Sequence, residues 1–418
     1  MAIRSYEQFP TENKMASDSI ESALEAIAQG RMVVVVDDED RENEGDLIMA
    51  AAAATEQDIA FMVRYTSGVL CVALPAERLE QLCLPLMVTS NSDSMSTAFT
   101  VTTDYRIGTT TGISAADRAI TIRALVDPAA DAGDFNRPGH IFPLRAVEDG
   151  VLRRPGHTEA GVDLTRLAGM APGGLLAELV NEDGSMARLP QLIEFAKQHS
   201  LPIVTIKDLI TYRRKRERSV ERLSTARLPT RYGTFTVHGY KERITGMEHA
   251  ALVMGDIAAS DAPLVRVHSE CLTGEVFGSI RCDCRGQLDL AMERIATEGA
   301  GVVVYLKGHE GRGIGLTEKL RAYALQDNGR DTVQANLDLG LQPDARDYSV
   351  GAQILQDLDV SSMRLMTNNP LKYQGIHDFG LRIVERVPLI TAPNSENASY
   401  LKTKQNLLGH LLNLESTH

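Results

Sequence analysis

The chain has 418 residues, with 43 Lys and Arg against 56 Asp and Glu, a net charge of −13. At roughly 150 residues per domain the length predicts two or three domains, and 43% hydrophobic with 24% charged residues excludes wholesale disorder. No apolar run approaches a membrane span, and the acidic balance argues against broad nucleic-acid binding. Five cysteines, behind a first segment (MAIRSYEQFPTENK) with no apolar core, point to reduced thiols and metal ligation in a cytoplasmic enzyme. In chain order, Ile20, Leu24 and Ile27 fall at i, i+4 and i+7, predicting a helix that Gly30 ends. Met32–Val36 follows as a buried strand and delivers the chain into Asp37-Asp38-Glu39-Asp40-Arg41-Glu42-Asn43-Glu44-Gly45-Asp46, seven carboxylates in ten positions. Held together in a folded loop, such groups repel unless a cation neutralises them, and hard oxygen donors suit Mg²⁺. A solvated acidic turn is the plainer alternative.

Cys71 and Cys83 lie in apolar settings and read as core thiols. Asn136-Arg137-Pro138-Gly139-His140 and Arg154-Pro155-Gly156-His157-Thr158 each place a histidine behind Pro-Gly on a stiff turn. With the acidic loop and nearby arginines they supply a metal ligand, an acid/base group and a phosphate clamp. Glu178, in the apolar stretch Leu175–Val180, is placed to act as a general base. The one composition break is Tyr212–Arg222, with six basic residues from Arg213 onward, read as a helix end running into a linker over 213–227.

These segments resemble 3,4-dihydroxy-2-butanone-4-phosphate synthase in DDEDRENEGDL (37–47), TTGISAADR (110–118), NRPGH (136–140), RPGHTEA (154–160) and AELVNEDGSMAR (177–188). That family converts ribulose 5-phosphate to a four-carbon phosphate and formate with Mg²⁺ or Mn²⁺. The resemblance implies Glu42 and His157 as metal ligands. It implies Arg41, Glu42, Asp46, Arg154, Pro155, Gly156, His157, Thr158 and Glu178 as substrate contacts, and His140 and Glu178 as catalytic groups. One departure is Ser96, in MSTAFTVT, where glycine is expected.

Beyond the break, Leu288, Met292 and Ile295 predict a helix ending near Gly299, followed by strand Val302–Leu306 and later strand Met363–Thr367. Cys271, Cys282 and Cys284 form C-x₁₀-C-x-C. Three thiolates and an open position suit a catalytic zinc; His268 as a fourth ligand would make the site structural. The loop His309-Glu310-Gly311-Arg312-Gly313-Ile314-Gly315 offers backbone amides and a guanidinium to an anion, although it is neither a P-loop nor a dinucleotide fingerprint. Both halves mix helices and strands without a repeat, so each is α/β or α+β, giving two consecutive domains, 1–212 and 228–418.

The second half resembles GTP cyclohydrolase II in RVHSECLTGEVFGSIRCDC, GHEGRGIGL, RAYALQD, DTVQANLDLG, DARDY and TNNPLK. The resemblance implies zinc on Cys271, Cys282 and Cys284. It implies GTP contacts from Arg266, Val267, His268, Ser269, Glu270, Gln287, Glu310, Gly311, Arg312, Thr332, Thr367 and Lys372. Asp344 would accept a proton and Arg346 attack the α-phosphate, with Tyr323 nearby. A guanidinium stays protonated to pH ~12, so charge stabilisation by Arg346 stands beside that role. Together the two resemblances imply the homodimeric fusion enzyme that starts both branches of riboflavin synthesis, its partners small molecules and neither nucleic acid nor membrane. A silent scaffold half, or a GTP-binding module without turnover, remain the rival readings.

Overall fold

Alternate valines of Val33–Val36 enter two different apolar clusters: Val34 and Val36 pack with Leu47 and Met49, Val33 and Val35 with Ile48 and Ala50. A strand covered on both faces has no polar side to show, which is why this segment is a continuous apolar run. The computed structural model describes residues 17–341, 346–407 and 409–412. The chain divides into two units, Met1–Arg213 and Arg214–His418.

In the first unit the strands are β1 (Val33–Val36), β2 (Gly45–Ala50), β3 (Cys71–Leu74), β4 (Thr103–Tyr105), β5 (Phe135–Arg145), β6 (Gly174–Glu178) and β7 (Ile203–Thr205). They form one mixed sheet in the order β4-β5-β3-β6-β2-β1-β7, with β3–β5 and β1–β7 parallel and the other pairs antiparallel. The predicted first helix is Ile20–Ala28, capped by the Ser19 hydroxyl, with Gly30 in the left-handed region just after it.

The second unit holds β8 (Val220–Thr230), β9 (Gly233–Glu242), β10 (Glu248–Met254), β11 (Leu264–Ser269), β12 (Gly301–Leu306), β13 (Ser362–Met366) and β14 (Arg382–Val387). Their order is β14-β13-β11-β12-β10-β9-β8, the first four parallel and the remainder antiparallel. The helix predicted from Leu288, Met292 and Ile295 spans Cys284–Glu298 and ends on left-handed Gly299. Each unit is therefore a seven-stranded mixed sheet with helices, as the sequence predicts. Among the described residues no helix is long and apolar enough to cross a membrane.

Two expectations change. Most of the basic stretch 213–227 is secondary structure: the helix Ile206–Arg216 ends in it, as expected, and after three connecting residues β8 begins at Val220. Its cations are paired, Arg214 with Asp347 at 2.9 Å and Arg222 with Asp357 at 2.6 Å. Arg213 is only 2% exposed and donates to Asp163 at 2.7 Å and to the Asp149 carbonyl. Arg213→Met would strand a buried carboxylate, so a loss of about 3–5 kcal/mol is expected in urea unfolding. Cys83 is not a core thiol but exposed, because it takes the left-handed position that closes the helix Ala76–Gln81. Cys71 is buried as predicted.

Ser96 also lies in the left-handed region, at φ 55°, which explains why glycine is expected there. Ser96→Gly should raise stability by about 1 kcal/mol, read as a rise of about 2–4 °C in the first transition of a thermal melt.

Candidate active sites

β1 ends at Val36 opposite Gly45, so the acidic run is the loop between two buried strands. Asp38, Glu39 and Asp40 point to solvent, leaving a smaller charged set inside. Asp37 organises the loop: its carboxylate accepts the amides of Glu42 (3.0 Å) and Glu44 (2.9 Å) and the Arg41 guanidinium (3.0 Å). That leaves Glu42 facing His157, with Oε2 3.5 Å from Nδ1, and Asp46 Oδ1 3.8 Å from the same nitrogen. The other ring nitrogen, Nε2, lies 3.1 Å from the Val35 carbonyl and donates to it, which turns Nδ1 toward the carboxylates.

The electrostatics follow from burial and proximity. The His157 hydrogen bond, more than Arg41, holds Glu42 down to about 2. Burial lifts Asp46 to about 7, and its Oδ1 has no hydrogen-bond partner among the described residues. Burial alone would favour a neutral His157, but Asp46 and Glu42 outweigh it and raise the ring to about 9. The cluster demands positive charge, whether a proton or a metal ion, and the orphaned oxygen fits a hard cation.

The helix His157–Leu167 begins beside this cluster, with Gly156 as its N-cap. A Cβ on Gly156 would lie 2.5 Å from Arg154 Nη1 and 3.1 Å from Arg41 Nη2, so glycine is what lets both guanidinia converge on the helix N-terminus. The first-turn amides and two arginines make an anion cradle. Arg154 is steadied by Glu159 at 2.6 Å, and Thr158 is buried in the first turn. Asp46 pairs in register with Glu178 across β2 and β6, and Glu178 Oε2 accepts the Ser67 hydroxyl at 2.7 Å.

His140 is held separately. Asp104 accepts its amide at 2.9 Å and lies 2.6 Å from Nδ1, which leaves Nε2 as the nitrogen free to exchange a proton. Among the described residues no hydrogen bond or ion pair joins this dyad to Glu42 and His157. The sequence names Asp37 only as one carboxylate of the acidic run and does not single out Asp104, since their partners are fixed only by loop folding and strand pairing.

In the second unit the Sγ atoms of Cys271, Cys282 and Cys284 lie within 4.8 Å of one another. Cys271 and Cys282 are 3.7 Å apart, too far for a disulfide and close to the ~3.8 Å edge of a tetrahedron with ~2.3 Å Zn–S bonds. A Cβ on Gly274 would intrude to 2.7 Å from Cys282 Sγ, so the glycine keeps the centre of the thiols open. Lys319 reaches in, with Nζ 3.3 Å from Cys271 Sγ and 2.7 Å from Thr273 Oγ1, and it also bonds Glu310. His268 is not part of the thiol cluster: Nε2 sits 2.7 Å from Glu275, its ring stacks on Tyr305, and Nδ1 has no hydrogen-bond partner among the described residues. Burial and the neighbouring cations Arg266 and Lys372 keep it neutral. Lys319, Glu275 and Tyr305 are further residues the sequence reading does not contain.

The thiols open into a cavity lined by Arg266, His268, Ser269, Glu270, Gln287, Gly311, Arg312, Tyr323, Arg346, Thr367 and Lys372. Two expected contacts stand apart. Val267 packs in the core and offers only its carbonyl, to Lys372 at 3.0 Å, while Glu310 is buried against Lys319 and the Leu272 amide. Asp344, and Thr332 beyond its backbone at the start of the helix Thr332–Asp338, lie outside the described residues. Arg346 stacks over Tyr348 at 5.6 Å. The Arg312 amines and Arg266 Nε are buried without hydrogen-bond partners among the described residues, as expected of groups that await an anion.

Two sheet-and-helix units, each pairing a metal-capable cluster with converging guanidinium groups, define a two-domain enzyme of phosphorylated small molecules. The family model of 3,4-dihydroxy-2-butanone 4-phosphate synthase matches residues 21–212, and that of GTP cyclohydrolase II matches 221–388. The chain belongs to the family of bifunctional riboflavin biosynthesis enzymes that join these two activities. It is 58% identical over 397 residues to the riboflavin biosynthesis protein RibBA of Salinispora arenicola, covering 95% of this chain and 94% of that one. It is 59% identical over 398 residues to the probable bifunctional riboflavin biosynthesis protein RIBA 2, chloroplastic, of Oryza sativa subsp. japonica, covering 95% and 72%. Among solved structures it resembles RibBX, a two-domain 3,4-dihydroxy-2-butanone 4-phosphate synthase from A. baumannii, with a TM-score of 0.67 at 38% identity over 88% of this chain and 99% of that one.

Proposed function

We propose that the first unit converts ribulose 5-phosphate to the four-carbon phosphate and formate at the Glu42–His157 cluster. The second unit hydrolyses GTP to the diaminopyrimidine, formate and pyrophosphate at the thiol-lined cavity. The observation that carries this reading is the pairing, in each unit, of a cluster suited to a cation with its own anion cradle.

In the first unit Glu42 and His157 would hold Mg²⁺ or Mn²⁺, which would supply Lewis acidity to the sugar phosphate. Arg41, Arg154 and the amides after Gly156 hold the phosphate and so fix the sugar relative to the carboxylates. Glu178, beside Asp46, takes a carbon-bound proton onto its carboxylate. His140 gives and receives protons at Nε2, because Asp104 occupies Nδ1.

In the second unit Cys271, Cys282 and Cys284 would hold zinc, which would supply Lewis acidity for the hydrolysis of GTP. Arg266, Arg312, Arg346 and Lys372 draw the triphosphate into the cavity and offset its charge despite the acidic whole. Arg346, with its guanidinium stacked on Tyr348, holds the α-phosphate through charge rather than attacking it.

The test is formate release by the purified protein from ribulose 5-phosphate with Mg²⁺, from GTP, and from both together. Formate in each vessel, additive in the third, is expected. A vessel that stays silent assigns that unit a scaffold role.

A further inference from the structure

The matched cyclohydrolase segment ends at residue 388, yet the wall of the nucleotide cavity continues past it. The helix Ala398–Asn406 brings Tyr400 and Lys404 to the same cavity, and His410 lines it too. The segment is tied to the site loops by backbone: the His410 amide donates to the Lys404 carbonyl at 3.0 Å and the Leu411 amide to the Asn368 carbonyl at 2.9 Å.

Lys404 is 7% exposed, its ammonium 2.6 Å from Asp283 Oδ1 and 4.5 Å from the centre of the Tyr400 ring. Asp283 stands between two of the thiols in sequence. Its Oδ2 accepts Gln287 Nε2 at 2.6 Å, Gln287 Oε1 accepts Arg266 Nη2 at 2.6 Å, and Arg266 Nη1 donates to the Met366 carbonyl at 2.9 Å. This buried chain locks the Gln287 amide in one of its two flip states, and Lys404 neutralises the carboxylate that sets it. Without that cation, Asp283 would be a buried unpaired charge beside the thiols, and the chain would lose its anchor.

His410 has a different character. Its Nδ1 is shielded from water and has no hydrogen-bond partner among the described residues. Leaving a buried ring nitrogen unmet is costly, and a ligand that pairs with it recovers that cost on binding. Burial first, then Lys404, Arg346, Arg312 and Lys372, keep the ring neutral, down to about 3. A polar group surrounded by those cations faces the most anionic part of a nucleotide.

We infer that residues 398–407 and 409–412 form a working wall of the nucleotide pocket, in which His410 hydrogen-bonds the triphosphate and Lys404 is a positioning residue for Gln287 and Arg266. The inference rests on reading the cavity as the GTP site and goes beyond it in assigning residues outside the matched segment.

The experiment uses the full chain with His410→Ala, Lys404→Met and Lys404→Arg, reading formate from GTP, zinc content, and competitive inhibition by GMP and by pyrophosphate. Formate from ribulose 5-phosphate reports that the first unit is folded, and parent-level zinc content together with a parent-like thermal melt reports the same for the second. His410→Ala should raise KM for GTP about tenfold with kcat within about threefold, weaken pyrophosphate, and leave GMP, which lacks the outer phosphates, unchanged. Lys404→Met should weaken GTP and GMP alike by about tenfold, and Lys404→Arg should restore both to within about threefold. An unchanged KM in His410→Ala, or equal weakening of GMP and GTP in that variant, overturns the role of His410. Wild-type KM in Lys404→Met overturns that of Lys404. If Lys404→Met loses zinc or fails to fold, the Lys404→Arg and His410→Ala arms still decide. A parent protein that releases no formate from GTP sinks the site reading itself, a result distinct from either.

Discussion

Cys282→Ser should abolish formate release from GTP, by more than the ~100-fold that loss of an outer-shell partner costs a metal site, while leaving formate release from ribulose 5-phosphate at the parent rate. A serine hydroxyl at this position is neutral and hard, whereas the three converging sulfurs suit a borderline-soft ion. The clustered donors are the three thiols without His268, whose Nε2 faces Glu275, and Lys319, 3.3 Å from Cys271 Sγ, is a cation that stabilises thiolate charge but cannot ligate while protonated. Zinc per chain, measured by elemental analysis, should fall in step with activity. Full GTP turnover with zinc retained would mean that the remaining two thiols and another group suffice, and that the tetrahedral spacing between Cys271 and Cys282 is incidental. Loss of the ribulose 5-phosphate activity as well would contradict the independence of the two units.

Much of both sites was legible because their chemistry lies in short segments. Val33–Val36 and Gly301–Leu306 are buried on both faces and so read as unbroken apolar runs, and each delivers a loop rich in chemistry directly after it. The three thiols fall within 14 positions, and Arg154–Thr158 form one turn, so spacing alone brought them together. What sequence did not reveal are partners fixed by tertiary folding. Lys319 meets Cys271 from 48 residues away, Asp104 meets His140 across 36, and Lys404 meets Asp283 across 121. None has a local pattern to distinguish it from other charged residues. The basic stretch misled for the opposite reason: a run of six cations reads as solvated linker, yet Arg213 is buried on Asp163 and its neighbours pair with Asp347 and Asp357. Charge density along the chain says nothing about where the counterions will be. Cys83 shows the same limit, since its exposure follows from closing a helix in the left-handed region rather than from its apolar neighbours.

The Glu42–His157 cluster yields the second large effect, and there the pH dependence separates a metal role from a structural one. Glu42→Gln removes one anionic donor, frees Arg41 from its 2.7 Å partner and takes away the charge that His157 shares. Formate from ribulose 5-phosphate should fall more than ~100-fold, with GTP turnover unchanged. The stability signs are opposite for the two carboxylates. Glu42 is depressed to about 2 from 4.5, so its contribution is fully present above about pH 4.5 and is lost as the pH falls through about 2; the stability gap between parent and Glu42→Gln should close over that range. Asp46 is raised to about 7 from 3.8, so its ionisation costs stability as the pH rises from about 4 through 7. A cation binding beside the orphaned Asp46 oxygen relieves that cost, so Mg²⁺ should raise the melting temperature of the parent more at pH 8 than at pH 5. In Glu42→Gln the Mg²⁺-dependent rise should shrink at both values. An equal rise at pH 5 and pH 8 would place the bound ion away from Asp46, and an undiminished rise in Glu42→Gln would remove Glu42 from its ligands, leaving its carboxylate to hold Arg41 and His157 in place.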